Sequence, residues 1–378
     1  MMGTGEVVAL TRELMALDTV DGSESAAQAV LAPLLEEAGF AVHSHEHAPG
    51  RATVVAEWRA AERELPPLCL SGHVDTVPLG AAPWQHDPYA GELDGDRLYG
   101  RGSSDMKGGV AAIVLAATAY ARAAGHGGRA GGGPVLTAAE ETGAWGARHV
   151  APYLSSAGRS GPLLIAEPTA NEVVHGHKGA LWLQARTAGV TAHGSMPHLG
   201  ENAVYKLARA VTRLEEYAFA RAPHEVMGAP TLNVGTFEAG LNPNSVPDRA
   251  VASVDVRTVA GQDHAEVGAA LARRVGPEVE WSPLLDLPPV WTSPDDGWVR
   301  SVAEVVRGVN PEASDVPRAA TFFTDAAVLT PALGTVPTVI CGPGEPGLAH
   351  ATDEWCSVGR LEAAVEIYSG VIRGWCGG

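Results

Sequence analysis

The sequence predicts an α/β protein with a largely parallel sheet, into which a separate β-α-β-β-α-β unit is set. Three observations carry this. Short apolar runs of strand length alternate with helical patterns in the outer parts of the chain. The middle of the chain follows a different order of elements. The 378 residues, 46% hydrophobic and 19% charged, supply enough core for about two domains and exclude global disorder.

From Glu6 to Ala38 apolar residues recur at spacings of three and four. That pattern predicts two helices separated by the turn-rich Asp18 to Glu24, with Gly39 ending the second. Short apolar runs follow: Thr53 to Trp58, Leu68 to Ser71, Val135 to Ala139, Leu163 to Ala166 and Thr338 to Cys341. Each is bounded by Gly, Pro or polar residues, as strands are. A helical pattern, Val110 to Ala124, separates two of them, and such alternation is what a parallel sheet requires. The longest uncharged apolar stretch, Gly108 to Ala121, falls short of the roughly 18 residues of a membrane helix and is expected to be a buried one. The glycine-rich Gly125 to Gly133 reads as a flexible loop.

In the middle the order is strand Ala180 to Thr187, helix Asn202 to Arg221, strands Thr231 to Glu238 and Ala250 to Thr258, helix Ala265 to Val275 and strand Glu278 to Pro283. That is the ferredoxin-like arrangement, two helices on one face of a four-stranded sheet. An inserted domain is therefore placed at 176–290, and the α/β domain comprises 1–175 and 291–378.

Charge excludes several partners. Lys and Arg number 26 against 44 Asp and Glu, giving a net −18, and no basic stripe interrupts the acidity. Nucleic acid and anionic membranes, both polyanionic, are not expected as partners. Four scattered cysteines, Cys69, Cys341, Cys356 and Cys376, form no C-x-x-C pair and suit a reducing compartment. The N-terminus places Glu6, Glu13 and Asp18 among apolar residues and lacks the basic-then-apolar layout of a signal peptide, so a cytoplasmic location is expected.

The chemistry is read from position. His73 follows the strand Leu68 to Ser71, Glu140 and Glu141 follow Val135 to Ala139, and Glu167 follows Leu163 to Ala166. Groups at the carboxyl ends of neighbouring parallel strands line one crevice. One imidazole and several carboxylates converging there form a donor set for divalent cations. Singly, each residue has an ordinary reading: Asp105 as a helix cap, His73 or His350 as a satisfied histidine, Glu140 and Glu141 as a solvated pair, Glu167 as a turn residue. Together they would repel without cations. Asp75, two residues beyond His73, suits the carboxylate that orients a metal-bound imidazole.

These residues resemble a known family. Ser71-Gly-His-Val-Asp-Thr-Val-Pro78, Gly100-Arg-Gly-Ser-Ser-Asp-Met-Lys-Gly-Gly109, Ala139-Glu-Glu-Thr-Gly143, Ala166-Glu-Pro-Thr169 and Ala349-His350 look like the dinuclear zinc amidohydrolases and peptidases. That family includes acetylornithine deacetylase, succinyl-diaminopimelate desuccinylase, aminoacylase and carboxypeptidase G-type enzymes. The resemblance implies a zinc-peptidase-like catalytic domain with two divalent ions, zinc first, with cobalt or manganese as alternatives. It implies that Asp105 bridges them, that His73 and Glu167 complete one site and Glu141 and His350 the other, and that Glu140 is the general base. It also implies a homodimer in which the insert acts as lid and dimerisation domain and His193, in Gly189-Val-Thr-Ala-His-Gly-Ser-Met-Pro197, reaches the partner's active site. Asn244 and Arg257 match substrate-binding positions, Arg257 as a carboxylate partner, with Lys178 and Thr324 as further candidates. On periodicity alone Arg257 is equally an ordinary exposed strand residue.

The implied activity is removal of an acyl group, acetyl first, from an N-acyl amino acid; desuccinylation and dipeptide or carboxypeptidase cleavage use the same site. Phe322-Phe323, ahead of Thr324-Asp325-Ala326, replaces the small glycines of many relatives and bears on side-chain specificity. Three other signals are set aside. His43, His45 and His47 would share one face of a strand but lack acidic, strand-terminal company. Gly100-Arg-Gly-Ser-Ser-Asp105 carries Asp where a dinucleotide fingerprint needs its third glycine. Ser195 and Ser245 lie in no nucleophile elbow.

Overall fold

The structure is a computed structural model that describes residues 5–377 apart from 21, 62–63, 126 and 157–159. Met1 to Thr4 of the N-terminal stretch, Asp21 of the first turn and His126 of the glycine-rich loop thus lie outside the described residues. The chain divides into two compact units. One comprises Met1–Gly176, Trp291–Arg318 and Thr324–Gly378; the other comprises His177–Val290 and Ala319–Phe323.

The first unit is built on a six-stranded sheet in the order Ala41–Ala48, Arg51–Glu57, Gly132–Thr137, Leu68–His73, Leu163–Ile165, Thr338–Ile340. The last four run parallel, and the two at the Ala41–Ala48 edge are antiparallel. The sheet is therefore mixed, its parallel part running from Gly132–Thr137 to the Thr338–Ile340 edge. Burial explains the split. Leu68–His73 is buried at every position, as a strand covered on both faces must be, and reads as a continuous apolar run. Ala41–Ala48 is an edge strand with no buried residue, so its sequence carries histidines where an apolar alternation would have announced it. The strand expected within 135–139 begins earlier, at Gly132, inside the stretch read as a loop.

Helices Lys107–Ala124 and Val358–Cys376 pack on each other and on the sheet, uniting Val110, Ile113, Leu361 and Ile367 in one core. Close approach is obligatory at Gly109: a Cβ there would stand 2.4 Å from the Ala166 carbonyl oxygen, so only glycine lets the helix lie against the strand end that carries Glu167. Tyr368, fully buried, donates its hydroxyl to the Cys341 carbonyl at 2.8 Å, which satisfies the one polar atom it brings into the core. Among the described residues no helix is long and apolar enough to cross a membrane.

The second unit has the element order strand, helix, strand, strand, helix, strand. Its antiparallel sheet runs Thr231–Ala239, Arg249–Thr258, Gly179–Ala188, Glu280–Leu287. Alternate residues of Arg249–Thr258 are buried, giving one apolar face to helices Ala203–Glu215 and His264–Val275. Both helices start on side-chain caps, Asn202 accepting the Tyr205 N–H and Asp263 the Glu266 N–H. The first helix ends at Glu215 rather than near Arg221. Tyr217 and Phe219 leave its register to pack edge to face, 5.0 Å between ring centres. The last strand spans Glu280–Leu287 and carries a register shift at Pro283, where an edge strand tolerates the missing donor.

Candidate metal centre

Register brings the predicted ligands level. His73 pairs with Thr137 and Ser71 with Ile165 across parallel strands, so three strand ends finish side by side. His73 closes the central strand. Beyond Thr137 the chain turns at Ala139, whose left-handed φ of 56° is strained for a residue with a Cβ, and presents Glu140 and Glu141 in succession. Glu167 stands two residues past Ile165. His350 comes from a distant segment and is itself left-handed, φ 64°.

Two groups of three side chains offer ligand atoms that all lie within 4.8 Å of one another: His73, Asp105 and Glu167, and Asp105, Glu141 and His350. Asp105 belongs to both. Its Oδ1 lies 3.1 Å from His73 Nε2 and its Oδ2 3.4 Å from His350 Nε2. Glu167 Oε1 is 3.8 Å from His73 Nε2, and Glu141 Oε2 is 3.0 Å from His350 Nε2. Asp105 is not a helix cap. Met106 occupies the N-cap of Lys107–Ala124 without a side-chain bond, which leaves the Asp105 carboxylate to the histidines.

Asp75 braces this arrangement from behind. Its Oδ1 accepts the Glu140 N–H and its Oδ2 the Glu141 N–H, each at 3.1 Å, and its Oδ1 is 3.5 Å from His73 Nδ1. His73 Nδ1 also lies 3.0 Å from the Asp75 carbonyl oxygen, which leaves Nε2 aimed at Asp105. Glu140 is buried but belongs to neither ligand group, and among the described residues its Oε1 has no hydrogen-bond partner.

The electrostatics are those of a cation site. Burial and the charge of Glu167 push the Glu140 carboxyl well up, and burial and the charge of Asp105 do the same to Glu167. Burial also raises Glu141, with Asp105 adding to it. Burial works to raise Asp105, but hydrogen bonds from His350 and His73 outweigh it and hold its carboxyl far below the usual range. Hydrogen bonds that His350 donates to Asp105 first and then to Glu141 carry its imidazole up to about 10. At an effective dielectric of about 20, two carboxylates 4 Å apart repel by about 4 kcal/mol, so the cluster needs protons or cations. Its donors, imidazole nitrogen and carboxylate oxygen, suit borderline divalent ions, and sharing Asp105 between two groups suits two of them.

Of the remaining predicted residues, Lys178, His193, Asn244 and Arg257 belong to the second unit and Thr324 to the first. In the second unit, the Gly194 N–H donates to the Asn244 carbonyl at 2.7 Å, so the His193 and Asn244 segments are neighbours, and both residues are exposed. His193 Nδ1 is 2.7 Å from Ser195 Oγ. Arg257 is held by Asp255 at 2.9 Å and lies over Trp182, which faces Phe323 edge-on at 6.2 Å. Lys178 donates to the Ala229 carbonyl at 2.7 Å. Thr324, in the first unit, is fully buried, and its Oγ1 accepts the Ala326 N–H. His43 and His45 pack on Tyr153 and His47 on His149, and none of the three joins a ligand group.

Sequence reasoning passed over three buried groups. Asp325 receives a hydrogen bond from Thr137, and burial lifts its carboxyl to about 7 against that bond and the charge of His73. Arg101 and Glu354 form an ion pair at 2.6 Å beside Asp105. Position was the available signal: Asp325 abuts the noted Thr324, and Arg101 and Glu354 each lie four residues from a predicted ligand.

Comparison with known proteins agrees with this geometry. Residues 69–374 match the family described as Peptidase family M20/M25/M40. A succinyl-diaminopimelate desuccinylase of Gluconobacter oxydans is 30% identical over 390 residues, covering 97% of each chain. An acetylornithine deacetylase of Vibrio atlanticus is 28% identical over 366 residues, covering 92% of this chain and 90% of its own. In fold, the crystal structure of a metallo-carboxypeptidase from Sulfolobus solfataricus matches with a TM-score of 0.81 at 19% identity, over 97% of this chain and 98% of that one.

Proposed function

This chain belongs to peptidase family M20/M25/M40, a dinuclear metal-binding hydrolase by its two ligand groups, and from that premise we propose that it removes an acyl group from the nitrogen of an amino acid. Acetyl is the first candidate. The observation that carries the reading is Glu140: a buried carboxylate at the edge of two cation positions and committed to neither.

His73, Asp105 and Glu167 would hold one ion and Asp105, Glu141 and His350 the other. When bound, the two cations supply the positive charge that acidifies an attacking water and polarises the amide carbonyl. Glu140 accepts the proton of that water as it attacks, then delivers it to the leaving nitrogen. Asp75 keeps the Glu140 backbone in place during both transfers and fixes the tautomer of His73. In this reading His193, from the second unit of a partner subunit, donates to the developing oxyanion, and Asn244 and Arg257 meet the substrate's polar end, with Lys178 and Thr324 in support. Arg257 would then have to exchange part of its bond with Asp255 for the substrate.

The second unit is assigned as a ferredoxin-like lid and dimerisation domain over 176–290, and 1–175 with 291–378 as the catalytic domain. Its element order and the order of its four strands support that assignment. Four buried free cysteines support a cytoplasmic location.

Desuccinylation is the second reading, favoured by the desuccinylase that aligns over nearly the whole chain, and carboxypeptidase or dipeptidase action uses the same centre. A panel of N-acetyl, N-succinyl and dipeptidyl amino acids, assayed for released amine with zinc, cobalt or manganese, separates them. One acyl class preferred over the others identifies the substrate; no amine from any member refutes the proposal.

A further inference from the structure

Two segments that carry ligands are far apart in sequence: Gly100–Met106 brings Asp105, and Ala349–Trp355 brings His350. Glu354 joins them. Its side chain is fully buried and lies among donors from the first segment. Oε1 accepts the N–H groups of Ser104 at 2.8 Å and Asp105 at 3.0 Å; Oε2 accepts the Gly102 N–H at 3.1 Å and the Arg101 guanidinium at 2.6 Å. Arg101, also buried, reaches back to the carbonyl oxygens of His350 at 3.5 Å and Pro78 at 3.3 Å. Main chain and a second side chain complete the weld: the Gly100 N–H donates to the Glu354 carbonyl at 2.8 Å, and Ser104 Oγ donates to the Trp355 carbonyl at 2.7 Å.

We propose that Glu354 and Arg101 are positioning residues that set the spacing of the two cation positions, by clamping the backbone of the shared ligand Asp105 to the segment that bears His350. The claim rests on the two-cation reading of the centre. Neither residue joins a ligand group. A carboxylate offers several acceptor sites and no donor, so it can take three backbone N–H groups and a guanidinium together. The N–H of Asp105 is one of the three, so Glu354 constrains the peptide from which the Asp105 side chain springs. The carboxylate of Asp105 must then meet His73 on one side and His350 on the other. A helix cap or a surface ion pair would not need burial or contacts with both segments. Glutamine in place of Glu354 keeps the shape but turns one acceptor into an NH₂ facing backbone N–H groups or the guanidinium, so the loop must shift.

The test is a cobalt(II) titration of metal-free full-length protein, read by optical and electron paramagnetic resonance spectra. Wild type is expected to take two equivalents, with magnetic coupling between them through the Asp105 carboxylate. Glu354→Gln should bind the second equivalent about 10- to 100-fold more weakly, the usual effect of removing a ligand's outer support, and should lose the coupling. Arg101→Lys, which keeps the charge and loses the planar fork, should show a smaller loss in the same direction; it carries the test if Glu354→Gln does not fold. Val302→Ala, a core truncation distant in sequence from every ligand, is the control: it should lower the melting temperature and keep both equivalents and the coupling. Variants that match wild type in affinity and coupling overturn the positioning claim alone. A wild type that takes fewer than two equivalents overturns the two-cation reading, and the positioning claim with it.

Discussion

Asp75 Oδ1 accepts the backbone N–H of Glu140 at 3.1 Å, so a carboxylate that faces His73 also fixes the residue assigned as the base. Ligand orientation and base placement therefore depend on one side chain. Asp75→Asn keeps its volume but has one oxygen for the two N–H groups of Glu140 and Glu141. Zinc affinity, measured against a competing chelator, should fall about 10- to 100-fold, with a parallel loss of kcat. Wild-type affinity in this variant would show that the residue-75 carbonyl, 3.0 Å from His73 Nδ1, orients His73 without the carboxylate.

Glu140 gives the sharpest separation of binding from chemistry. It lies outside both ligand groups, so Glu140→Ala should keep the wild-type metal content, as determined by elemental analysis, while turnover falls by at least about 100-fold, the lower end of general-base contributions. Full activity in the metal-loaded variant would remove Glu140 from the mechanism.

Gly109 links core packing to the site. In Gly109→Ala the new Cβ would collide with the Ala166 carbonyl, one residue before Glu167. Overpacking of this kind destabilises by about 1–3 kcal/mol, so the denaturant midpoint should drop. Because the displaced strand end carries a ligand, zinc affinity should drop as well, and a midpoint loss with unchanged affinity would contradict the coupling.

In the second unit, His177 predicts a pH dependence of stability. It is fully buried, and desolvation lowers its imidazole from 6.5 to about 4, only partly offset by its contact with the Lys178 carbonyl at 2.8 Å. The unfolded chain protonates near 6.5 and the folded chain only near 4. Between these values the unfolded state binds more protons, so this contribution holds above pH 6.5 and is lost as pH falls toward 4. The shift of 2.5 units, 6.5 − 4, corresponds to roughly 3 kcal/mol when complete. Urea unfolding of wild type and His177→Asn at about pH 7.5 and about pH 5 should show the wild type losing more stability. Equal losses would contradict the buried neutral imidazole.

Much of this architecture is legible in the sequence. His73, Glu141 and Glu167, members of the two ligand groups, stand past the ends of apolar runs that mark buried parallel strands, and Glu140 directly precedes Glu141. The β-α-β-β-α-β order was readable because each of its elements has a clean period. The strand Ala41–Ala48 was not, since an edge position relaxes the demand for apolar residues and its histidines resemble a surface cluster. Glu354, Arg101 and Asp325 escaped for another reason. Their partners are backbone N–H groups, a guanidinium and a threonine hydroxyl brought together by tertiary structure, and no local spacing encodes those contacts. Arg257 reads in the sequence as a substrate-carboxylate partner or an ordinary strand residue; the structure pairs it with Asp255, two residues earlier on the same strand, a contact that its spacing alone does not announce.

In the proposed centre Asp105 serves two cations at once. Elemental analysis of zinc-loaded wild type and Asp105→Ala, after removal of loosely held ions, tests it most directly. Two equivalents per wild-type chain and loss of both in the variant are predicted. A wild type with no stoichiometric zinc, or an Asp105→Ala chain that keeps two, would contradict it.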